Sequence, residues 1–136
     1  MRMVTDPRAL LPTHRSDVER ARALCALGYP AIAPVLREML EWIRDCNWHV
    51  SGPIADCLAS VGEPVVPLVW EVMRGTDGTW KFWCIHKIIA RLPKELAEQF
   101  RPELTRLMTH PTPDDRCVEL DEAARAALER LGDAAA

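Results

Sequence analysis

Trp80-Lys81-Phe82-Trp83 sets three aromatic rings and a cation within four residues. The chemistry such a run supports is recognition rather than bond-making. Tryptophan beside lysine or arginine offers apolar area, a ring face that attracts cations and a charged rim, as interface hot spots do. On a helix turning about 100° per residue, Phe82, Ile85, Ile88, Ile89 and Leu92 gather on one side as a core-facing stripe. Trp80, Trp83, Lys87 and Arg91 fall on the opposite side, flanked by Lys81. That aromatic and basic face suits an acidic partner protein. The competing role for either tryptophan is to fill the gap between two layers of the same molecule.

Trp42, Asp45, Asn47, Trp48 and His49 form a second cluster. Trp42 lies at the edge of a helical stripe, so it reads as core. Asp45 and Asn47 are suited to finishing one helix and capping the next, and Trp48 falls in the connecting loop. If Trp48 and Trp80 open successive repeats, they align along one edge as an aromatic ridge. The same residues permit a second reading, a small-ligand or enzymatic pocket in a concave face lined by Trp48, Trp80, His49 and Asp45. A deep pocket with buried Asp45 or His49 favours ligand chemistry, and a broad exposed patch favours a protein partner.

Other chemistries find little support. Cys46 and His49 have ligand-like spacing, but a structural zinc site wants four ligands in two tight pairs and no second pair is present. There is no His-Glu-x-x-His pattern, phosphate loop or dinucleotide motif, and no nucleophile elbow. The expectation is therefore a non-enzymatic protein without cofactor or metal. A net charge of −3, with Lys and Arg interleaved among Asp and Glu, argues against nucleic acid. No apolar run is long enough for a signal peptide or a membrane span. The five cysteines are odd in number and without a Cys-x-x-Cys pair, which fits free thiols in a cytoplasmic protein.

The elements that must position these residues read as helices throughout. Residues 1–15 form an irregular lead-in broken by Pro7 and Pro12, 16–132 a single helical domain, and 133–136 a frayed tail. Ser16-Asp17-Val18-Glu19 has the form of a capping box for a helix that stops at Gly28. A second helix starts at Pro30 to Ile32 and carries Val35, Leu36, Met39, Leu40 and Ile43 inward. A third runs from Val50 or Pro53 to Val61, a fourth from Val65 to Arg74. Asp77 or Thr79 caps the Trp80 helix. Pro102 kinks or splits the next element, His110 to Asp115 forms a rigid loop, and a last helix runs from Val118 to Leu131.

Leu27-Gly28-Tyr29-Pro30-Ala31-Ile32 recurs as Val61-Gly62-Glu63-Pro64-Val65-Val66, 34 residues on, and Leu92-Pro93 occupies the position a third time. A helix, tight turn and helix repeating near this length signals an α-solenoid: an all-α chain of about three HEAT-like hairpins plus a C-terminal capping helix. With the Trp42 to Trp48 segment, Ile54-Ala55 and Trp80-Lys81-Phe82-Trp83, these motifs resemble an uncharacterised bacterial family, domain of unknown function 5071, from about Leu10 to Leu131. That resemblance implies a HEAT-like helical fold and no established activity. The expected function is a cytoplasmic module that holds another protein; an immunity or antitoxin-type inhibitor is one version, by analogy of class. A homodimer through exposed aromatics is a further option.

Overall fold

The protein is all-helical in a computed structural model that describes residues 6–132. The 133–136 tail and the first five residues of the lead-in lie outside the described residues. The helices are α1 (Val18–Leu27), α2 (Leu36–Glu41), α3 (Ser51–Val61), α4 (Val66–Met73), α5 (Gly78–Lys87), α6 (Lys94–Ala97), α7 (Arg101–Thr109), α8 (Pro113–Cys117) and α9 (Leu120–Leu131). Short 3-10 turns lead into α2, α4 and α7 and follow α5. Among the described residues no single helix is long and apolar enough to cross a membrane; α3 and α4 are apolar enough only as a pair, and they meet at a 112° bend.

The helices pack as two rows. In one, α1 lies against α3 and α3 against α5; in the other, α2 lies against α4, and α2 and α4 pack on α3 and α5 respectively. Trp70 of α4 continues the second row by stacking on Phe100 just before α7, with centroids 4.8 Å apart. The closing helix, α9, packs on α5, α7 and α8. One apolar core runs through all of this, from Ala21 and Leu24 to Ala127 and Leu131. Polar ties between the hairpins fall close to the 34-residue offset of the sequence repeat. Arg37 donates to both carboxylate oxygens of Glu71, Arg91 donates to Asp56 at 2.7 Å, and His49 Nδ1 lies 3.1 Å from Ser16 Oγ.

Several boundaries differ from the sequence expectation. α1 begins without the Ser16 capping box: Asp17 is its N-cap, and the Asp17 carboxylate accepts from Thr13 N and Oγ1 instead. Pro30 to Ile32 is a turn rather than the start of α2. Pro34 has no N–H to carry an α ladder forward, so the chain there makes three-residue bonds, Ala33 N to Pro30 O and Val35 N to Ile32 O, before α2 begins at Leu36. Gly28 (φ 69°) and Gly62 (φ 80°) take the left-handed conformations that end α1 and α3, as expected. Pro102 sits in the first turn of α7, downstream of the split between α6 and α7.

The stretch expected as a loop to Asp115 holds the start of α8, opened by a complete capping box. Asp115 N donates to Thr112 Oγ1 and Thr112 N donates to the Asp115 carboxylate. Burial works against the Asp115 charge, but the two Thr112 bonds and the nearby Arg106 outweigh it, and its pKa lies below the ordinary value of 3.8. A depressed carboxylate pKa contributes stability that is present above the unfolded value and is lost as pH falls through the folded one. Asp115→Asn is expected to cost about 1–2 kcal/mol at pH 7, with the gap to the parent protein narrowing below about pH 4. Urea denaturation across that range checks it.

Gly78 opens α5 where that helix meets the turn before α9. A Cβ there would stand 2.8 Å from Val118 Cγ2, too close without movement. Gly78→Ala should therefore destabilise by about 1–2 kcal/mol, although alanine is the better helix former. Adding Val118→Ala should recover part of the loss, read as a non-additive double-mutant cycle in denaturant.

Candidate functional site: a tryptophan-walled groove between α2 and α4

Asp77 caps α5 by accepting from Trp80 N at 3.0 Å, which fixes where the Trp80 side chain leaves the helix. Its ring then reaches across to α2, and Nε1 donates to the Leu40 carbonyl at 3.1 Å. That carbonyl belongs to the last turn of α2 and also accepts from Ile43 N at 3.2 Å. The Arg44 guanidinium stands 5.8 Å from the ring centroid. Trp80 is thus half-buried and held at three points. It fills the gap between α2 and α5 with one part of its surface and walls a groove with another.

The groove has a volume of about 330 Å³ and runs between α2, α4 and the turn before α5. Its apolar lining is Leu40, Leu68, Val72 and Trp80. Charge sits at the rim: Glu41, Glu71 and Asp77 against Arg37, whose guanidinium already engages Glu71. The C-terminal end of α4 contributes Val72, and Gly75 and Thr76 follow it, so helix carbonyls add to the negative character there.

Trp83 does not join Trp80 in this groove. It lines a separate shallow depression with Phe82, Cys117 and Val118. There it makes an edge contact with Phe82 at 5.0 Å, while Phe82 stacks on the exposed His86 at 5.8 Å. Phe82 is consequently not a fully buried residue, contrary to expectation. It packs at the margin of the core, while Ile85, Ile88, Ile89 and Leu92 are buried as the stripe requires. None of the three cations of the expected face lines the groove with Trp80. Arg91 is paired with Asp56 of α3, Lys81 bears electrostatically on Asp115, and Lys87 bears on Cys46. Arg91 lies beyond the break at Ile88, where the chain tightens into a 3-10 turn, so the ideal helical angle relating it to Lys87 no longer applies.

The second cluster is brought together in part. Asp45, Asn47, Trp48 and His49 line one depression with Arg15 and Ser16, about 350 Å³ in volume. Trp80 lines a different one, so Trp48 and Trp80 do not wall a common site. Trp48 meets Trp42 edge-on at 5.9 Å, and Asp45 Oδ1 accepts from Asn47 N in a local turn. Ser51, fully buried, anchors this corner by donating to the carbonyls of Trp42 and Asp45. His49 is exposed and Asp45 half-buried. Among the described residues no group of three or more His, Cys, Asp or Glu could hold a metal ion.

Sequence reasoning missed Arg37, Glu41, Leu68 and Glu71. A signal existed for two of them: Arg37 and Glu71 are complementary charges separated by the repeat offset itself. Because Trp80 is tied to α2 and Trp83 is not, their replacement should differ. Trp80→Ala is expected to cost about 2–3 kcal/mol, Trp80→Phe about 1 through the lost indole bond, and Trp83→Ala about 1 or less. Equal losses for the two alanine variants in urea denaturation would overturn this assignment.

Comparison with known proteins adds one finding to this geometry. No curated protein matches the chain. The sequence profile of a family described as "Domain of unknown function (DUF5071)" matches residues 10–128, a span that includes the groove and both tryptophan clusters. The chain therefore belongs to the DUF5071 family.

Proposed function

We propose that this protein is a non-enzymatic protein-binding module, a short HEAT-like solenoid of three hairpins closed by α9, which holds a segment of another protein in the Trp80 groove. The solenoid reading is supported by the two helix rows and by polar ties that join hairpins near the repeat offset. One observation carries the binding reading: an apolar lining ending on a rigidly held tryptophan, under a rim with more carboxylates than cations. A large ring held in place loses little conformational freedom on binding, which is what makes tryptophan an effective anchor.

The rim also selects the occupant. None of Lys81, Lys87 and Arg91, the cations that would draw an acidic partner, lines this groove, and Arg91 is paired with Asp56 of α3. The groove instead complements a segment carrying an apolar side chain beside a lysine or arginine. The apolar group would lie on Leu68 and Trp80, and the cation would meet Glu41 and Glu71. Electrostatic complementarity of this kind governs selectivity and association rate more than raw affinity.

A titration with two short amphipathic peptides, one alternating leucine with lysine and the other leucine with glutamate, tests this reading. The basic peptide is expected to perturb NMR signals of Leu68, Val72 and Trp80, weakly at high salt. Glu41→Lys, a surface change that leaves the lining intact, should weaken that binding at least about fivefold. Equal binding of the acidic peptide, or perturbation centred on Trp48 and His49, would overturn the assignment; the latter outcome favours a ligand pocket at the second cluster.

A further inference from the structure

Cys25 and Cys57 bring two half-buried thiols together from helices 32 positions apart in sequence, a juxtaposition that the groove does not use. Cys25 lies on α1 and Cys57 on α3, and the two helices pack directly. Cys25 Sγ lies 3.6 Å from the Pro53 carbonyl, one turn before Cys57 on α3. Helical side chains lean back over the preceding turn, which carries the Cys57 sulfur toward the same point and sets the two thiols side by side where α1 packs on α3.

The remaining cysteines differ. Cys84 is fully buried and its thiol is pushed up by burial. Cys46 is pushed up to about 11 by burial and points its sulfur at the Ile43 carbonyl. Cys117 is exposed. Only in the α1–α3 pair does one thiol support the charge of another. The neighbouring Cys25 thiol holds Cys57 below the ordinary thiol value, and Cys25, which donates to the Pro53 carbonyl, is held protonated by its neighbour and by burial. The carboxylate of Asp56 bears on Cys25 in the same direction, and it is itself paired with Arg91.

We propose that Cys25 and Cys57 form a redox-active dithiol that hydrogen peroxide converts into an intramolecular disulfide joining α1 to α3. The Cys57 thiolate attacks one peroxide oxygen, the O–O bond breaks, and Cys57 becomes a sulfenic acid while hydroxide leaves and is protonated to water. The Cys25 thiol then gives up its proton and attacks Cys57 Sγ. The S–O bond breaks, and the leaving hydroxide takes that proton as a second water. Two thiols and one hydrogen peroxide thus give one disulfide and two waters, with two electrons passing from sulfur to oxygen.

The test uses the full chain carrying Cys117→Ser, so that the exposed thiol does not link two molecules. After treatment with hydrogen peroxide, quenching and alkylation, mass spectrometry should show a loss of two hydrogens and a Cys25–Cys57 cross-linked peptide. Tm should rise by about 5–10 °C and return on reduction. Cys25→Ser should leave a sulfenic acid on Cys57 that dimedone traps, and Cys57→Ser should slow oxidation of Cys25 at least about tenfold. Circular dichroism establishes that both variants are folded. If Cys46 is oxidised while Cys25 and Cys57 stay alkylatable, or if Cys57→Ser leaves the oxidation rate of Cys25 unchanged, the dithiol assignment is overturned.

Discussion

A pair of short helices joined by a tight turn has more apolar surface than it can cover by itself. Val35, Val65, Ile54 and Leu58 are essentially inaccessible here because each hairpin is covered by the next, with α3 against α1 and α5, and α4 against α2. The constraint has two consequences. α3, α4 and α5 each pack on more than one other helix, and α9, packed on α5 and α7, buries Ala124, Ala127 and Leu131. It also leaves seams between neighbouring helices of one row, and the groove between α2 and α4 is such a seam.

The features of the fold legible in the sequence were those set by local chemistry with a single solution. Gly28 and Gly62 end helices because left-handed backbone strains other residues, and the apolar stripe from Ile85 to Leu92 follows from helical period. Misreadings arose where a side chain found a partner distant in sequence or outside its own helix. Ser16 was set aside as a cap because Asp17 bonds back to Thr13 and Ser16 Oγ lies beside His49. His110 to Asp115 resembles a loop by its two prolines, yet Thr112 and Asp115 satisfy one another and start a helix.

The site was less legible than the fold, and the reason is geometric. Helical angles place Trp80 and Trp83 side by side, but only 60° apart on a helix edge is enough for one to meet α2 and the other the turn around Val118. Likewise Lys87 and Arg91 share a face only if the helix continues, and it breaks at Ile88. Composition identified the aromatic residues that matter; the row of helices they lean on decides which of them borders a cavity.

The Arg37–Glu71 pair crosses the rim of that cavity with both side chains more than half exposed. Ion pairs so open to water contribute little net stability, so this one behaves as an exchangeable contact rather than a strut. Glu71 can release Arg37 to solvent and take up an incoming guanidinium or ammonium group with nearly balanced energetics. In the proposed binding mode the rim would serve as a local ion exchanger: its resident arginine would occupy the carboxylate until a better-placed cation, carried on an apolar anchor, displaced it.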